Sequence, residues 1–310
     1  MLVGLAMVAF AGCLEPTPPP LRVGMARWPS YEVFRLAESL GCYSSVEVQL
    51  VDFGSLAEAQ RAYQADVIDA LCTTAEYALN LDEREHRIVL VIDFSSGGDT
   101  LVARPGIDAL RDLRGQRVGL EVGALGVYML TRALERAGMS TRDVVLVSVD
   151  LVDHQAAFEG GRVDAVVTYE PVRTHVLAKG GRELFSSRDI LGEVIDVLVV
   201  RRMLLERRDD LLKLVDGWFR GLDYLVQNPT DAARRVATHQ GVTAEEYLRS
   251  LDGVRLFSLE ENRRLLAGPS SPLVSSLRRL SAVTVRYGIL EAPVDPAPLL
   301  DDRLVRATHP

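Results

Sequence analysis

Apolar runs with strand character alternate with amphipathic segments of helical period through residues 21–200. The apolar run at 21–26 is followed at 31–40 by a segment whose apolar residues recur every three or four positions, which predicts a strand and then a helix. Gly41 stands where a helix would end, and a second strand is predicted at 46–51. Strands that alternate with helices pair in parallel through right-handed crossovers, so this order predicts an α/β fold.

The same pattern occurs twice. The triplet Arg-Val-Gly at 22–24 recurs at 117–119, and the pair Asp-Ala at 69–70 recurs at 164–165, each 95 positions later. A repeat at this spacing predicts two similar units in tandem. In the first unit a further helix is predicted at 56–65 and a further strand at 70–73. In the second unit, strands are predicted at 117–121, 144–149 and 165–168, and helices at 127–137 and 154–159. We therefore expect two α/β lobes, each with a parallel-dominated sheet flanked by helices.

The remaining pattern predicts how the lobes are connected. A strand at 88–94 leaves the first lobe, a turn at 107–112 enters the second, and a β-branched run at 194–200 leads back. Beyond this run the apolar period predicts only helices, at 211–227, 230–239, 243–251, 259–266 and 270–287. A Pro-rich irregular tail is predicted at 293–298. The predicted division is a signal and linker at 1–20, a discontinuous first lobe at 21–103 and 197–310, and a second lobe at 104–196.

Composition narrows the class of protein. The 310 residues are 48% hydrophobic and 25% charged, which is globular composition with room for two domains. The net charge is −8 and no basic stripe with interleaved aromatic residues occurs, so a nucleic-acid partner is not expected. Five scattered histidines show no metal-ligand spacing, so neither a metal nor a cofactor is predicted. Cys42 and Cys72 could form a disulfide or remain buried thiols.

The start of the chain resembles a bacterial lipoprotein signal. A short apolar run ends in Phe-Ala-Gly before Cys13, and a Pro-rich stretch follows at 16–20. The run is too short to span a bilayer, which takes about 20 apolar residues. The resemblance implies that Cys13 becomes a lipidated N-terminus, with the rest of the protein outside the cytoplasmic membrane. The alternative is a buried N-terminal strand with a free cysteine.

Several motifs beside the predicted strands carry a second resemblance. Trp-Pro-Ser-Tyr at 28–31, Val-Asp-Phe-Gly-Ser at 51–55, Asp-Leu-Arg-Gly-Gln at 112–116 and Tyr-Glu-Pro at 169–171 are similar to the nitrate, sulfonate, taurine and thiamine-pyrimidine binding group of ABC importers. The resemblance covers about residues 21–266 and is not specific for one ligand. It implies a two-lobed, type II-like periplasmic-binding-protein fold. It also implies a non-enzymatic monomer that delivers a small molecule to an ABC permease and ATPase.

Two other functions stay open. Enzymes of the thiamine-pyrimidine synthase type share this architecture, but they use a cysteine-rich iron-binding segment and an active-site histidine, and the sequence shows no such cluster. It also shows no nucleophile–base pair, phosphate-binding glycine loop or CxxC motif. The other alternative is a tethered binding protein that signals to a membrane kinase.

Candidate ligand-binding residues follow the predicted strands, because loops at the carboxyl ends of parallel strands line the ligand crevice in such folds. Trp28 could stack on a flat ligand or fill the core of its own lobe. Thr73 and Thr74 could donate hydroxyl groups or cap a helix, and Ser96 could bind ligand or belong to a hinge turn. The other candidates are Tyr31, Ser55, Gly123 and Tyr169.

Four acidic residues complete this set and give it a charge. Asp99, Glu121, Glu170 and Asp196 could bring carboxylates to one cleft. Glu170 could instead be only a favourable charge in the first turn of a helix. No lysine lies in these loops, and the one arginine is Arg27. The sequence therefore favours a nitrogenous ligand such as an amine, amidine or aminopyrimidine over a sulfonate or nitrate.

Overall fold

Two separate β-sheets form the centres of two lobes. The computed structural model describes residues 19–121 and 123–309, a part of the chain that holds eleven strands. The predicted lipid-attachment residue, Cys13, lies outside the described residues. The strands are β1 (Leu21–Met25), β2 (Val48–Asp52), β3 (Ala70–Thr74), β4 (His86–Ser95), β5 (Asp99–Ala103), β6 (Arg117–Leu120), β7 (Val145–Ser148), β8 (Ala165–Tyr169), β9 (Arg182–Ser186), β10 (Ile195–Arg201) and β11 (Val254–Leu256).

The strand orders confirm the predicted α/β architecture. The first sheet has the order β11-β4-β10-β3-β1-β2, and the second has the order β7-β6-β8-β5-β9. In the first sheet β1 pairs in parallel with β2 and β3, and in the second β6 pairs in parallel with β7 and β8. Antiparallel strands complete each sheet, because β4, β10 and β11 run against their neighbours in the first and β5 runs against β8 and β9 in the second.

Helices flank both sheets. In chain order they are α1 (Glu32–Ser39), α2 (Leu56–Gln64), α3 (Ala75–Ala78), α4 (Ala124–Arg136), α5 (His154–Glu159), α6 (Val172–Ala178), α7 (Arg208–Gln227), α8 (Pro229–Gln240), α9 (Ala244–Leu251), α10 (Leu259–Leu265), α11 (Pro272–Arg286) and α12 (Arg303–Ala307). The helix α7 packs against α1, and α12 packs against α7 and β4, so the C-terminal helices enlarge the first lobe. Among the described helices, none combines the length and apolar character that a membrane crossing needs.

The lobe boundaries differ from those predicted. Strand β5 (Asp99–Ala103) pairs with β8 in the second sheet, so the chain leaves the first lobe at 96–98 and not at 103. The Ser-Ser-Gly-Gly stretch makes the crossing, where Gly97 has a φ of +118° that favours glycine. The return strand β10 begins at Ile195, two residues before the predicted boundary. The Ser-Ser-Gly-Gly stretch marked a turn in the sequence, but the short buried strand β5 after it was assigned to the first lobe.

Three strands were not predicted at all, namely β5, β9 and β11. Val254–Leu256 forms β11 on the edge of the first sheet, within a region where the sequence pattern indicated only helices. A strand of three residues is too short to show the alternating period by which strands are recognised.

The repeated residues at 22 and 117 form the same ion pair in both lobes. Arg22 at the start of β1 donates from Nε to Asp69 Oδ2 at 2.9 Å and from Nη2 to Oδ1 at 2.7 Å. Arg117 makes the same two bonds to Asp164, at 2.9 and 2.7 Å. In each lobe this clamp joins the first strand to the residue that precedes its parallel neighbour, β3 or β8. The 95-residue repeat thus corresponds to a structural duplication.

Candidate functional site

Two adjacent chambers lie between the lobes, where the parallel strands end. The Asp196 chamber comprises about 280 Å³ of space between atoms, part of it open to solvent, and is lined by Ala26, Trp28, Tyr31, Thr74, Val194 and Asp196. The His154 chamber comprises about 430 Å³ of space between atoms, part of it open to solvent, and is lined by Ala57, Gln60, Glu121, Gly123, Gly126, Met129, His154, Val167 and Thr168. Four residues line both chambers and form a shared neck, namely Leu56, Asp99, Leu125 and Tyr169.

A row of polar side chains crosses the first sheet beside the Asp196 chamber. Asp196 on β10 is directly opposite Thr74 on β3 and Asp93 on β4. Directly opposed residues of antiparallel strands point to the same face with Cβ atoms about 5 Å apart, so the two carboxyl groups are neighbours. Asp93 is 0% exposed and Asp196 is 3% exposed. The two carboxylates repel each other when both are ionised.

The loop after β1 supplies hydrogen-bond donors to this row. Trp28 donates from Nε1 to Asp93 Oδ2 at 3.1 Å, and the Ser30 hydroxyl donates to the same oxygen. The Tyr31 hydroxyl donates to Asp196 Oδ1 at 2.7 Å. Trp28 therefore both lines the chamber and orients a carboxyl group behind it.

Several buried acceptors of this region have no partner. They are Asp93 Oδ1, Asp99 Oδ2, Glu76 Oε1 and the Thr74 hydroxyl. Burial raises the pKa of Asp93 to about 6 and the pKa values of Asp99 and Glu76 to about 7. Burial also raises the pKa of Asp196 well above its usual value, and the nearby charge of Asp93 adds to the effect. A buried carboxylate without a partner is costly, so these groups require either protons or a cation.

No lysine or arginine is among the described residues that line the two chambers. The charge of Arg173 acts to lower the pKa of Asp99, but Arg173 is itself bonded to Glu170 and Glu183. The negative character of the cleft is therefore not neutralised by a basic side chain in its walls.

The polar groups of the His154 chamber are satisfied within the protein. His154 Nε2 lies 3.1 Å from the Val149 carbonyl oxygen, to which it must donate, and Nδ1 lies 3.1 Å from the Thr168 hydroxyl. Burial lowers the pKa of His154 to about 4, so the ring is neutral at physiological pH. Gln60 donates from Nε2 to the Thr73 hydroxyl at 3.1 Å. Thr73 thus positions a lining residue from behind.

Tyr169 connects the two lobes at the neck. Its ring centroid is 6.2 Å from that of Trp28 in an edge-on arrangement. Its hydroxyl accepts a bond from the backbone N–H of Leu56 at 3.5 Å and donates to Glu121 Oε2 at 3.4 Å. Leu56 belongs to the first lobe and Glu121 to the second, so these contacts bridge a cleft that is closed in this structure.

The structure brings most of the predicted ligand-binding residues to the two chambers. Eight of the twelve line them, namely Trp28, Tyr31, Thr74, Asp99, Glu121, Gly123, Tyr169 and Asp196. Ser55 does not, because its hydroxyl caps α2 by accepting from the Glu58 N–H at 3.2 Å. Ser96 does not, because it lies in the crossing between lobes, where its N–H donates to the Gly253 carbonyl at 2.8 Å.

Glu170 is also absent from the chamber walls. Its carboxylate accepts from Arg173 Nη1 at 2.9 Å and from the Thr174 hydroxyl at 2.9 Å, and the Thr174 N–H donates to it at 3.2 Å. The expectation that Glu170 accepts from a ligand is therefore wrong. Glu170 lies in the turn before α6 and Arg173 lies in the first turn of that helix, so the arginine side chain reaches back to the carboxylate.

Sequence reasoning missed two acidic residues, Asp93 and Glu76, and three polar residues that line the His154 chamber, namely Gln60, His154 and Thr168. Asp93 had a visible signal, since it interrupts the apolar run Val-Leu-Val-Ile at 89–92 just as Asp196 interrupts its own run. Glu76, Gln60 and His154 had none, because each lies on a helix and only the folded lobes show which helix turn faces the cleft.

Comparison with known proteins shows which proteins this chain resembles. The family described as NMT1/THI5 like matches residues 86–232. A protein of Brucella abortus named as a binding protein is 22% identical over 215 residues, which cover 67% of this chain and 66% of that protein. The match thus spans about two thirds of that relative's length. A protein of Escherichia coli K12 named as aliphatic sulfonates-binding is 26% identical over 122 residues, which are 39% of this chain and 38% of that protein.

Solved structures show the same fold over nearly the whole chain. The alkanesulfonate-binding protein SsuA of Xanthomonas axonopodis, bound to MOPS, has a TM-score of 0.75 at 17% identity and covers 93% of this chain and 100% of that one. A ligand-binding component of an ABC-type import system from Staphylococcus aureus, with zinc bound, has a TM-score of 0.77 at 13% identity, with coverage of 94% and 99%. The desulfurization enzyme DSZB has a TM-score of 0.67 at 14% identity, with coverage of 93% and 98%.

These matches confirm the two-lobed fold of periplasmic binding proteins. They also confirm the resemblance to the solute-binding components of ABC importers, and the family model that matches the chain is NMT1/THI5 like.

Proposed function

We propose that this chain is an extracytoplasmic solute-binding protein that captures a small protonated nitrogen compound and delivers it to an ABC permease and ATPase. The single observation that carries the proposal is the row of buried carboxyl groups at the interlobe cleft, whose unpartnered oxygens face no basic side chain. The fold supports the capture step, since two lobes on a hinge can close around a ligand.

A cationic N–H group would satisfy this row. Asp99 Oδ2 is an unpartnered acceptor, and Asp99 and Asp196 line the same chamber, whereas the unpartnered Asp93 Oδ1 lies beside Asp196 outside the chamber lining. A hydrogen bond between an N–H donor and a charged acceptor contributes about 1.5–3 kcal/mol. Trp28 and Tyr31 add aromatic rings to the same walls, and a cation is attracted to the face of such rings.

A sulfonate fits these walls poorly, although similar proteins are named for binding sulfonates. An anion in the Asp196 chamber would lie against Asp99 and Asp196 with no basic side chain in the lining. It would also require both carboxyl groups to hold protons, because like charges in a buried site repel each other strongly.

Titration calorimetry at pH 7.5 tests the ligand class. The probes are butylamine, benzamidine and 4-aminopyrimidine on one side, and taurine, methanesulfonate and nitrate on the other. We expect at least one of the nitrogen compounds to bind and Asp196→Asn to weaken its binding about tenfold or more, by loss of a charged hydrogen bond. Glu170→Gln is the control, because that carboxylate is bonded to Arg173 and Thr174 outside the chambers. Tight sulfonate binding that Asp196→Asn leaves unchanged would overturn the proposal.

The proposal includes a lipid anchor at Cys13. Its support is the Phe-Ala-Gly-Cys sequence and the Pro-rich spacer behind it. Cys13→Ala should move the protein from the membrane fraction to the soluble fraction outside the cytoplasm, whereas Cys42→Ala should leave it membrane-bound. A Cys13→Ala protein that stays with the membrane would show that the anchor is not a lipid on this residue.

A further inference from the structure

The turn between β1 and α1 (residues 28–31, the Trp28 turn) is held by two side chains from the C-terminal helices. Gln240, the last residue of α8, donates from Nε2 to the Trp28 carbonyl oxygen at 3.2 Å. The Tyr247 hydroxyl on α9 donates to the Pro29 carbonyl oxygen at 3.0 Å. The two side chains stand 212 and 218 residues further along the chain than the groups they hold, so only the tertiary fold brings them to the turn.

The amide of Gln240 is satisfied in one orientation only. Its Nε2 atom also donates to Glu32 Oε1 at 2.9 Å, and Gln240 and Glu32 are 3% and 0% exposed. Both partners of this end of the amide are oxygen acceptors, so the nitrogen and not the oxygen must face them. Both hydrogens of the NH2 group are thus used within the protein. Release of the Trp28 carbonyl would leave a buried donor without a partner, which is unfavourable.

The place of the Trp28 indole depends on the backbone of this turn, because fixed groups surround the ring. Its Nε1 atom donates to Asp93 Oδ2 at 3.1 Å, and the ring meets Tyr169 edge-on. Gly98 lies so close to the ring that a Cβ there would be 2.5 Å from it. The Gly98 N–H donates to the Gly253 carbonyl oxygen at 3.0 Å, in the turn between α9 and β11. The segment from α8 to β11 therefore holds both the backbone that carries the indole and the glycine beside it.

We propose that Gln240 and Tyr247 are positioning residues of the ligand-binding cleft, which hold the Trp28 indole in the wall of the Asp196 chamber through the backbone of the Trp28 turn. Neither side chain lines either chamber, so each acts through the turn and not by contact with the ligand. This inference rests on the proposed function only in taking the cleft as the ligand site. The place of the indole in the ligand-free protein does not depend on the chemistry of the ligand.

Fluorescence of Trp28 tests the positioning role directly. The chain has two tryptophans, so Trp218→Phe leaves Trp28 as the single one, and it removes no hydrogen bond because the Trp218 Nε1 atom has no partner. In this ligand-free background, Gln240→Leu and Tyr247→Phe should each raise the acrylamide quenching constant at least twofold and shift the emission maximum to longer wavelength. The physical reason is that the indole, now 5% exposed, reaches water when the turn is released.

Tyr224→Phe is the matched control. It also removes a tyrosine hydroxyl from the C-terminal helices, but that hydroxyl donates to Asp231 on α8 at 2.7 Å and not to the Trp28 turn. The control should therefore leave quenching and emission unchanged. Circular dichroism and a cooperative urea transition show that each variant is folded. If Gln240→Leu does not fold, Tyr247→Phe decides the question, because it removes a single oxygen atom.

The outcomes separate this inference from the proposed function. Variants that lose stability in urea but keep the quenching and emission of the single-tryptophan protein would overturn the inference, since Gln240 and Tyr247 would then only pack α8 and α9. Calorimetry with butylamine, benzamidine and 4-aminopyrimidine should show at least fivefold weaker binding of whichever compound the parent protein binds, and unchanged affinity in quenched variants would also overturn the inference. Binding of none of the three would overturn the proposed function, and the quenching result alone would then decide the inference.

Discussion

Asp99 should destabilise the ligand-free protein at neutral pH. It is 3% exposed, and its Oδ2 atom has no partner. Burial raises its pKa from 3.8 to about 7, helped by the nearby charges of Asp93 and Glu170. One pKa unit corresponds to 1.36 kcal/mol, so the shift of about three units represents up to about 4 kcal/mol.

The sign of the effect follows from proton binding. Between about pH 4 and pH 7 the folded protein keeps a proton on Asp99 that the unfolded chain has released. The free energy of unfolding therefore falls as the pH rises through this window, and the whole loss is present at pH 8. Asp99→Asn is neutral at every pH and removes this dependence. We expect the variant to equal the wild type near pH 4 and to exceed it by up to about 4 kcal/mol at pH 8.

Urea denaturation of the ligand-free protein at pH 4.5, 6, 7 and 8 measures this difference. Taking the difference between variant and wild type at each pH cancels the titration of the other groups. Asp301→Asn is a control of opposite sign, since Arg303 donates to Asp301 at 3.0 Å and helps to hold the pKa of its carboxyl below the usual value. That variant should lose stability at pH 8. Parallel stability curves for wild type and Asp99→Asn would refute the reasoning.

Three further predictions concern other parts of the fold. Gly98→Ala would place a Cβ 2.5 Å from the Trp28 indole, so we expect it to displace the ring and to weaken amine binding about tenfold by calorimetry; unchanged affinity would contradict this. Arg117→Leu removes the partly exposed clamp to Asp164 and should lower the urea midpoint only slightly while amine affinity is unchanged. Two carboxylates raise the pKa of His239, so its stabilisation is present below about pH 6.5 and is lost as pH rises through the folded pKa. His239→Gln should therefore lower the melting temperature at pH 5.5 and leave it nearly unchanged at pH 8.

The fold could be predicted because its determinants are local or repeated. The alternation of strands and helices is a property of neighbouring residues, and the 95-residue repeat marks the residues that form the Arg22 and Arg117 clamps. The crossing at 96–98 was placed too late because two buried strands, β4 and β5, are both apolar and differ only in the sheet they join. Which sheet a buried strand joins is decided by tertiary packing, and the sequence pattern does not show it.

The site was predictable only in part, for a similar reason. Asp196 was found because a charge within an apolar strand is costly unless it has a role. The same argument applies to Asp93 and would have found its neighbour. Glu170 was misassigned because its partner, Arg173, lies one helical turn away, and a residue that ends a strand can point back along the following helix as well as into the cleft. The division of the cleft into two chambers depends on which faces of the surrounding helices point into it, and only the structure shows these faces.

The duplicated clamps separate two tasks along the length of each sheet. Arg22 and Arg117 fix strand order at the amino ends of the parallel strands, whereas the carboxyl ends carry the side chains that meet the ligand. Substitutions in the ligand-facing loops therefore leave the clamps intact. In such a scaffold, loop substitutions can change the charge of the molecule that is bound, from anion to cation, while the order of the strands stays the same. Because each lobe has its own clamp, the ligand-facing loops of one lobe can change independently of those of the other.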